Sequence, residues 1–280
     1  MSVKSEFSLN GKGLHTGKQV AATFKPAEEN FGYRIRRMDL EGTPEIPALA
    51  EYVKLMDRAS CLEKDGVCVF TMEHAMAALY GSGIDNCLIE LSGEEFPILD
   101  GSAKYYVEEI EKVGFEEQKA DRRYFTVKEQ MEFCSEDGQT KITLLPDTDY
   151  NINLVVAYDS PYLQMQYATY SEQVTDFAKE IAPCRTFVFL RELEMLLQHN
   201  LIKGGDLDNA IVIVDREISQ EEVNRLAKLF NHDSIEVKQG ILNNLDLYFD
   251  NEPARHGCYR GSVFMRAFYQ RTCYRGETGS

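Results

Sequence analysis

The sequence predicts an α+β fold of two similar α/β-sandwich domains, each a sheet packed on helices, with a ligand cleft between them. Three observations carry that expectation. The order strand, turn, strand, helix occurs once before residue 121 and starts over near Arg122. The strand-like runs are short and punctuated by Gly, Pro, Asn and Asp, as hairpin-rich sheets require. The few helical stretches place apolar residues three and four apart, giving each one face for a sheet to cover. A chain of 280 residues is long for one small core, so two units of ordinary size follow. The expected bounds are 1–121, 122–256 and an atypical tail at 257–280. Duplication rests on element order, because the halves share little residue identity.

In the first unit, Phe7–Leu9 opens a strand, and Gly11–Gly17 is a glycine-rich turn presenting His15. Val20–Phe24 and, after a polar connection, Tyr33–Arg37 continue a β-meander. Ala48–Leu62 has no clear period. Val67–Phe70 is a strand running into Thr71–Leu79, whose Ala, Met and Leu content favours helix. Gly81 and Gly83 end that helix, and Ile84–Leu91 is the next strand. Phe96–Ala103 is a turn, and over Ala103–Val113 the residues Tyr106, Val107, Ile110 and Val113 share a helical face. In the second unit, strands are expected at Tyr124–Val127, Met131–Cys134, Ile142–Leu145, Ile152–Val156 and Gln166–Tyr170, with a turn at Asp137-Gly138. Phe187–His199 has helical spacing, and Ile211–Val214 reads as a strand.

Composition narrows the function. A net charge of −16 argues against extended contact with a nucleic-acid backbone, which needs clustered Lys and Arg. No run of about 18 apolar residues is present, so no membrane-spanning helix is expected. The first residues lack the apolar core and cleavage site of a signal peptide, which places the protein in the cytoplasm. Seven cysteines without CxxC spacing fit reduced, mostly buried thiols. The expected state is a monomer acting on a small molecule.

Glu73-His74 sets a carboxylate beside an imidazole at a helix start, a base and a metal ligand in one place. The bland alternative is a surface Glu beside a half-buried His. The pair is not part of HExxH, whose histidines sit one turn apart on one helix face, so further ligands must come from elsewhere in the chain. Of the remaining histidines, His199 suits the end of an amphipathic helix, and His232 lies in a polar loop. His15 is flanked by glycines that permit close approach to a ligand. His256 follows Pro253-Ala254-Arg255.

Five stretches in series resemble one family. They are Gly11-Lys12-Gly13-Leu14-His15-Thr16-Gly17, Thr71-Met72-Glu73-His74 through Gly83-Ile84-Asp85-Asn86, Pro97-Ile98-Leu99-Asp100-Gly101-Ser102-Ala103, Ala182-Pro183-Cys184-Arg185-Thr186-Phe187, and Gly204-Gly205-Asp206-Leu207-Asp208-Asn209-Ala210. In order and spacing they are similar to UDP-3-O-acyl-N-acetylglucosamine deacetylase, a cytoplasmic zinc amidase of lipid A synthesis. The resemblance covers residues 7 to 256 and implies a role for each matching residue. His74 and His256 match zinc ligands, and Glu73 matches the general base that takes a proton from the attacking water. Thr186 matches the hydroxyl that steadies the tetrahedral oxyanion. Phe187 and Phe189 match residues lining the substrate pocket, with core packing as the plain alternative for both, and His15 lies near the acyl passage. The implied substrate is an acylated UDP-sugar, UDP-3-O-(3-hydroxyacyl)-N-acetylglucosamine, which would lose its N-acetyl group. Some members continue into a hydroxyacyl-carrier-protein dehydratase domain, for which this chain is too short.

The chain departs from the family near its end. The family's third zinc ligand is an Asp one helical turn after the second His, and here that position is Arg260, a cation that repels a metal. The family's next-residue lysine is Gly257, and its histidine that protonates the leaving amine has no counterpart. Back-translating Met265–Gly279 with permitted codons and shifting one base can give C-G-R-F-I-K-G-H-V-I-A-A-R-P-G, which resembles the family's missing segment. The tail is therefore expected to be a frameshift product. Two histidines offer one protein ligand fewer than a catalytic zinc site normally has, so activity is expected to be severely impaired. The alternative readings are a non-catalytic protein that binds the acyl-sugar nucleotide, and an inactive gene fragment.

Overall fold

A computed structural model describes residues 1–258 apart from 57, 58, 123, 125, 159, 161, 162, 199–201, 231, 239, 243 and 244. His199, Arg260 and positions 259–280 of the expected frameshift tail lie outside the described residues, whereas Gly257 and Cys258 are helical. The fold is α+β, as the sequence predicts.

The first half is built on a five-stranded sheet in the order Phe7–Lys12, Gln19–Pro26, Cys87–Leu91, Tyr33–Arg37, Glu45–Pro47. Neighbours are antiparallel except Tyr33–Arg37 and Cys87–Leu91, which pair in parallel. Period-2 alternation selects the buried face. Val20, Ala22 and Phe24 point inward from one strand, Tyr33 and Ile35 from another, and Cys87, Ile89 and Leu91 from a third. They meet the Glu73–Gly81 and Lys104–Val113 helices, whose Ala75–Leu79 and Tyr106, Val107 and Ile110 are buried. Phe24 stacks on Phe7 at 4.7 Å between ring centroids and takes the edge of Tyr106 at 5.8 Å.

The unassigned stretch Ala48–Leu62 holds a 3₁₀ turn, Ala50–Tyr52, and two strands, Val53–Met56 and Ala59–Lys64. With Val67–Phe70 they make a three-stranded antiparallel sheet. Val53–Met56 is too short for a period to stand out in the sequence, and the six residues of Ala59–Lys64 do not alternate apolar with polar.

The second half has a four-stranded sheet, Phe187–Phe189, Ile211–Ile213, Ile241–Leu242, Val237–Lys238, and two hairpins, Met131–Cys134 with Lys141–Leu144 and Asn151–Val156 with Gln166–Ser171. Phe187–Phe189 and Ile211–Ile213 run parallel, and the Leu190–Gln198 helix forms part of their crossover. The helix expected over Phe187–His199 therefore starts late. Phe187, Val188 and Phe189 form a strand because aromatic and β-branched residues suit a pleated surface, and Phe187 keeps the three-residue spacing to Leu190 that mimics a helix. At Tyr124–Val127 the described residues 124, 126 and 127 are not in a strand. The Gln220–Leu229 helix, which the sequence reading did not include, opens on a capping box, with Ser219 accepting from the Glu222 amide and the Glu222 side chain reaching back.

The halves share a core. The largest apolar cluster adds Ala168, Tyr170, Phe177, Ile181, Ala182, Ala254 and Cys258 to the first-half residues. Gly81 marks one close approach, since a Cβ there would collide with the Phe177 ring. Leu190, Leu193, Val212, Val214, Val223 and Leu226 form a second cluster. Among the described residues no helix is long and apolar enough to cross a membrane.

Burial also sets the thiol chemistry. It pushes the Cys87 thiol up to about 12 and Cys258 up to about 11, and raises Cys184 further with help from the Glu252 charge. Cys134 is exposed on a hairpin. In a disulfide-exchange titration of the native protein at pH 8, Cys134 should react rapidly, whereas Cys87, Cys184 and Cys258 should react only after denaturation. Fast native labelling of Cys184 would contradict this packing.

Candidate metal and catalytic centre

The chain reaches the site by a strained turn. Val67–Phe70 is zipped to the segment beside it, with Phe70 N–H donating to Glu94 O at 2.9 Å and Phe96 N–H to Phe70 O at 3.0 Å. The next residue, Thr71, has φ 56°. A β-branched residue in the left-handed region costs of order 1–3 kcal/mol and needs surroundings that enforce it. The Thr71 hydroxyl donates to Glu95 Oε1 at 2.8 Å. Two residues later the Glu73–Gly81 helix begins, with Glu73 in its first turn and His74 only 3% exposed. Glu73 Oε2 is buried and has no hydrogen-bond partner among the described residues, an arrangement that suits a carboxylate awaiting a ligand proton.

The second imidazole arrives on another helix. Residues 252–258 are helical, with Pro253 in the first turn, where its missing N–H costs nothing. Glu252, fully buried, anchors this helix to the segment that leads into the Phe187–Phe189 strand. It accepts from Arg185 N at 2.9 Å, Arg185 Nε at 2.9 Å, Arg185 Nη2 at 3.1 Å and Tyr248 N at 2.8 Å. Arg185 also donates to Asp246 O at 2.7 Å and lies 4.8 Å from the Tyr248 ring centroid. This fork fixes the 252–258 helix against Cys184, and His256 Nδ1 lies 3.3 Å from Cys184 O. A carbonyl only accepts, so Nδ1 carries the proton and the imidazole lone pair sits on Nε2, the form that can ligate a metal.

The His74 and His256 rings are 5.9 Å apart, centroid to centroid. Two buried imidazoles beside a buried carboxylate oxygen are a donor set that fits zinc, with the imidazoles as two of its ligands. Thr186, next to Arg185, is held by its own N–H on Gly101 O at 2.7 Å and by Ile211 N–H on its carbonyl at 2.9 Å. Gly101 has φ 79°, and a Cβ there would collide with Asn209 O, which accounts for a glycine in that motif.

A cavity of about 380 Å³ opens onto these groups. His15, Thr71, Glu73, His74, Thr186 and Phe187 line it together with the apolar Leu193, Leu196, Ile202, Val212 and Phe230, and Glu192, Asp206 and Asn209 add polar groups to the lining. His256 adjoins the cavity through its contacts with His74 and Phe187. Phe187 sits edge-on to His256 at 6.3 Å. Phe189 packs behind it, 6.1 Å from Phe187 and 5.5 Å from Tyr158, and the Arg191 guanidinium lies 5.4 Å from its ring. The two glycine-rich motifs interlock at the rim. Gly204 N–H donates to Leu14 O at 3.0 Å, and a Cβ on Gly204 would collide with Gly13 O. His15 thus reaches the cavity only because the Gly11–Gly17 and Gly204–Ala210 stretches meet there.

The sequence reading missed Glu95 and Glu252, because a carboxylate is among the residues least expected inside and neither position breaks a local pattern. His232, expected to face solvent, is partly buried, with Nε2 3.7 Å from Asp206. It joins the exposed Asp206 and Asp208 in a cluster whose ligand atoms lie within 4.8 Å of one another.

The family model described as LpxC, UDP-3-O-acyl N-acetylglycosamine deacetylase, matches residues 1–232. The chain belongs to this family. It is 51% identical over 256 residues to the "Bifunctional enzyme LpxC/FabZ" of Bacteroides thetaiotaomicron, covering 91% of this chain and 55% of that protein. It is 48% identical to the Porphyromonas gingivalis protein of the same description, with the same coverage of both chains. The "UDP-3-O-acyl-N-acetylglucosamine deacetylase" of Marinobacter nauticus is 39% identical over 88% of this chain and 80% of its own length. The chain thus spans about half the length of the bifunctional relatives.

The Arg185–Glu252 pair is almost wholly buried. Glu252→Gln leaves the guanidinium buried without its counter-charge, a change worth about 3–5 kcal/mol of stability. Urea unfolding should show that loss, and a variant within 1 kcal/mol of the parent would contradict the assigned role.

Proposed function

We propose that the chain carries an N-deacetylase centre for UDP-3-O-(3-hydroxyacyl)-N-acetylglucosamine, in the cytoplasm and as a monomer of two units, 1–121 and 122–256. The observation that carries the reading is the pairing of the His74 and His256 rings, 5.9 Å apart, beside a cavity that His74, Glu73 and Thr186 line together with a largely aliphatic remainder. An acyl-sugar nucleotide needs both parts: a polar head for the acetamide and an apolar channel for the chain. The names of the relatives point to the same chemistry.

Zinc bound by His74 and His256 would polarise the acetamide carbonyl and bring the pKa of water toward neutrality. Glu73 would take the proton of the attacking water, which gives its orphaned Oε2 a partner at the moment of reaction. Thr186, fixed through its backbone, would donate its hydroxyl to the developing oxyanion. Phe187 would shield the reacting carbon from bulk water, with Phe189 supporting it. His15, on the interlocked rim, would contact the substrate near the mouth of the acyl passage.

The sequence departures limit the rate. Arg260 stands where the family supplies an aspartate ligand, so His74 and His256 offer one protein ligand fewer than a catalytic zinc site normally has. We propose that residues 257–280 are the product of a shifted reading frame, which the nucleotide sequence across codons 250 to 280 tests; an intact frame on clean reads overturns it. In an acetate-release assay with added zinc, this chain should turn over at least about 10-fold more slowly than a family member that carries the aspartate. Glu73→Gln should reduce the remaining rate further without changing metal content. Turnover matching that family member would refute the impairment, and an unchanged Glu73→Gln rate would refute the base.

A further inference from the structure

We propose that Glu95 is a positioning residue that sets two parts of the site at once: the His15 loop and the turn that aims Glu73 and His74. The inference rests on the deacetylase reading for the chemistry of those residues, but its geometry stands apart from it. Glu95 is 2% exposed, and four neutral donors converge on its carboxylate. Oε1 accepts from the His15 amide at 2.9 Å and from the Thr71 hydroxyl at 2.8 Å. Oε2 accepts from the Thr16 amide at 2.9 Å and from the Thr16 hydroxyl at 2.8 Å. The loop is moulded to the carboxylate, because a Cβ on Gly13 would collide with Oε2 and lie 2.6 Å from Thr16 Oγ1.

A carboxylate presents about four lone-pair directions, all of which are used here. Two of the donors are consecutive backbone amides, which cannot rotate away as hydroxyls can. Glutamine keeps the shape of Glu95 but turns one acceptor oxygen into a donor, so it must face at least one of these amides with an N–H. One oxygen, Oε1, bonds both the His15 amide and the Thr71 hydroxyl, so a shift at either end is felt at the other. Thr71 is held at φ 56° directly before the catalytic helix, and its hydroxyl bond to Glu95 is the side-chain contact that opposes relaxation of that turn.

Amide hydrogen exchange on the parent chain, Glu95→Gln and Glu95→Gln/Thr71→Gly tests the coupling. In Glu95→Gln, exchange at the His15 and Thr16 amides and at the Phe70 and Met76 amides should rise together by at least about tenfold, while the Gln220–Leu229 helix keeps its protection. Adding Thr71→Gly should restore protection at Phe70 and Met76 only, since glycine holds a positive φ without strain. The zinc dissociation constant by chelator competition should weaken in Glu95→Gln and recover in the double variant. Exposure of the loop alone, equal exposure throughout the chain, or no recovery on adding Thr71→Gly would overturn the proposal. If Glu95→Gln does not fold, Glu95→Asp, which retains an acceptor pair, should show the same paired loss in milder form. A parent chain that takes up no zinc would count against the deacetylase reading, and the exchange comparison would still decide the role of Glu95.

Discussion

Two imidazoles from distant parts of the chain come within 5.9 Å of each other, and two buried carboxylates, Glu95 and Glu252, hold the segments that carry them. His74 comes from a helix in the first half and His256 from a helix near the end of the described chain. Neither helix could hold its histidine to a fraction of an ångström by apolar packing alone, because packed helices can slide and rotate by small steps. Directional bonds at each helix start remove that freedom. The shared core, with Phe177 filling the space left by Gly81, then fixes one half against the other.

The two helix starts are fixed by different physics. At His256 a buried carboxylate meets a buried guanidinium through a two-bond fork, supplemented by two backbone amides. Such a pair contributes little net stability compared with an apolar substitute, but its geometry is narrow and its disruption is costly. At His74 a buried carboxylate is satisfied by amides and hydroxyls, and it supports a β-branched residue in an unfavourable backbone region. The first device locks a helix to the segment that leads into the Phe187–Phe189 strand, and the second holds a turn against its own preference. Glu73 and His74 line the cavity, and His256 adjoins His74.

The sequence showed the parts with a strong period or a strong motif. The alternating strands at Gln19–Pro26 and Tyr33–Arg37, the Lys104–Val113 helix and the Glu73-His74 pair all announce themselves locally. Ala50–Tyr52 and Val53–Met56 were missed because three or four residues carry no period, and Ala59–Lys64 because its six residues do not alternate apolar with polar. The start of the helix at Leu190 was misplaced because Phe187 satisfies helical spacing while its neighbours favour a strand. The supporting carboxylates, Glu95 and Glu252, were invisible because their role depends on donors from distant segments. The glycine motifs were visible as motifs, but their reason, the collision of one backbone with another at Gly13 and Gly204, exists only in three dimensions.

The central claim is that His74 and His256 together hold a metal ion. The competing location among the described residues is the exposed cluster of Asp206, Asp208 and His232. Zinc content combined with X-ray absorption, measured on the parent chain and on His74→Ala, His256→Ala and Asp206→Ala, separates the two. The account predicts one zinc per chain with imidazole nitrogen in its coordination sphere, lost in both histidine variants and kept in Asp206→Ala. Zinc that survives His74→Ala and disappears with Asp206→Ala would contradict it.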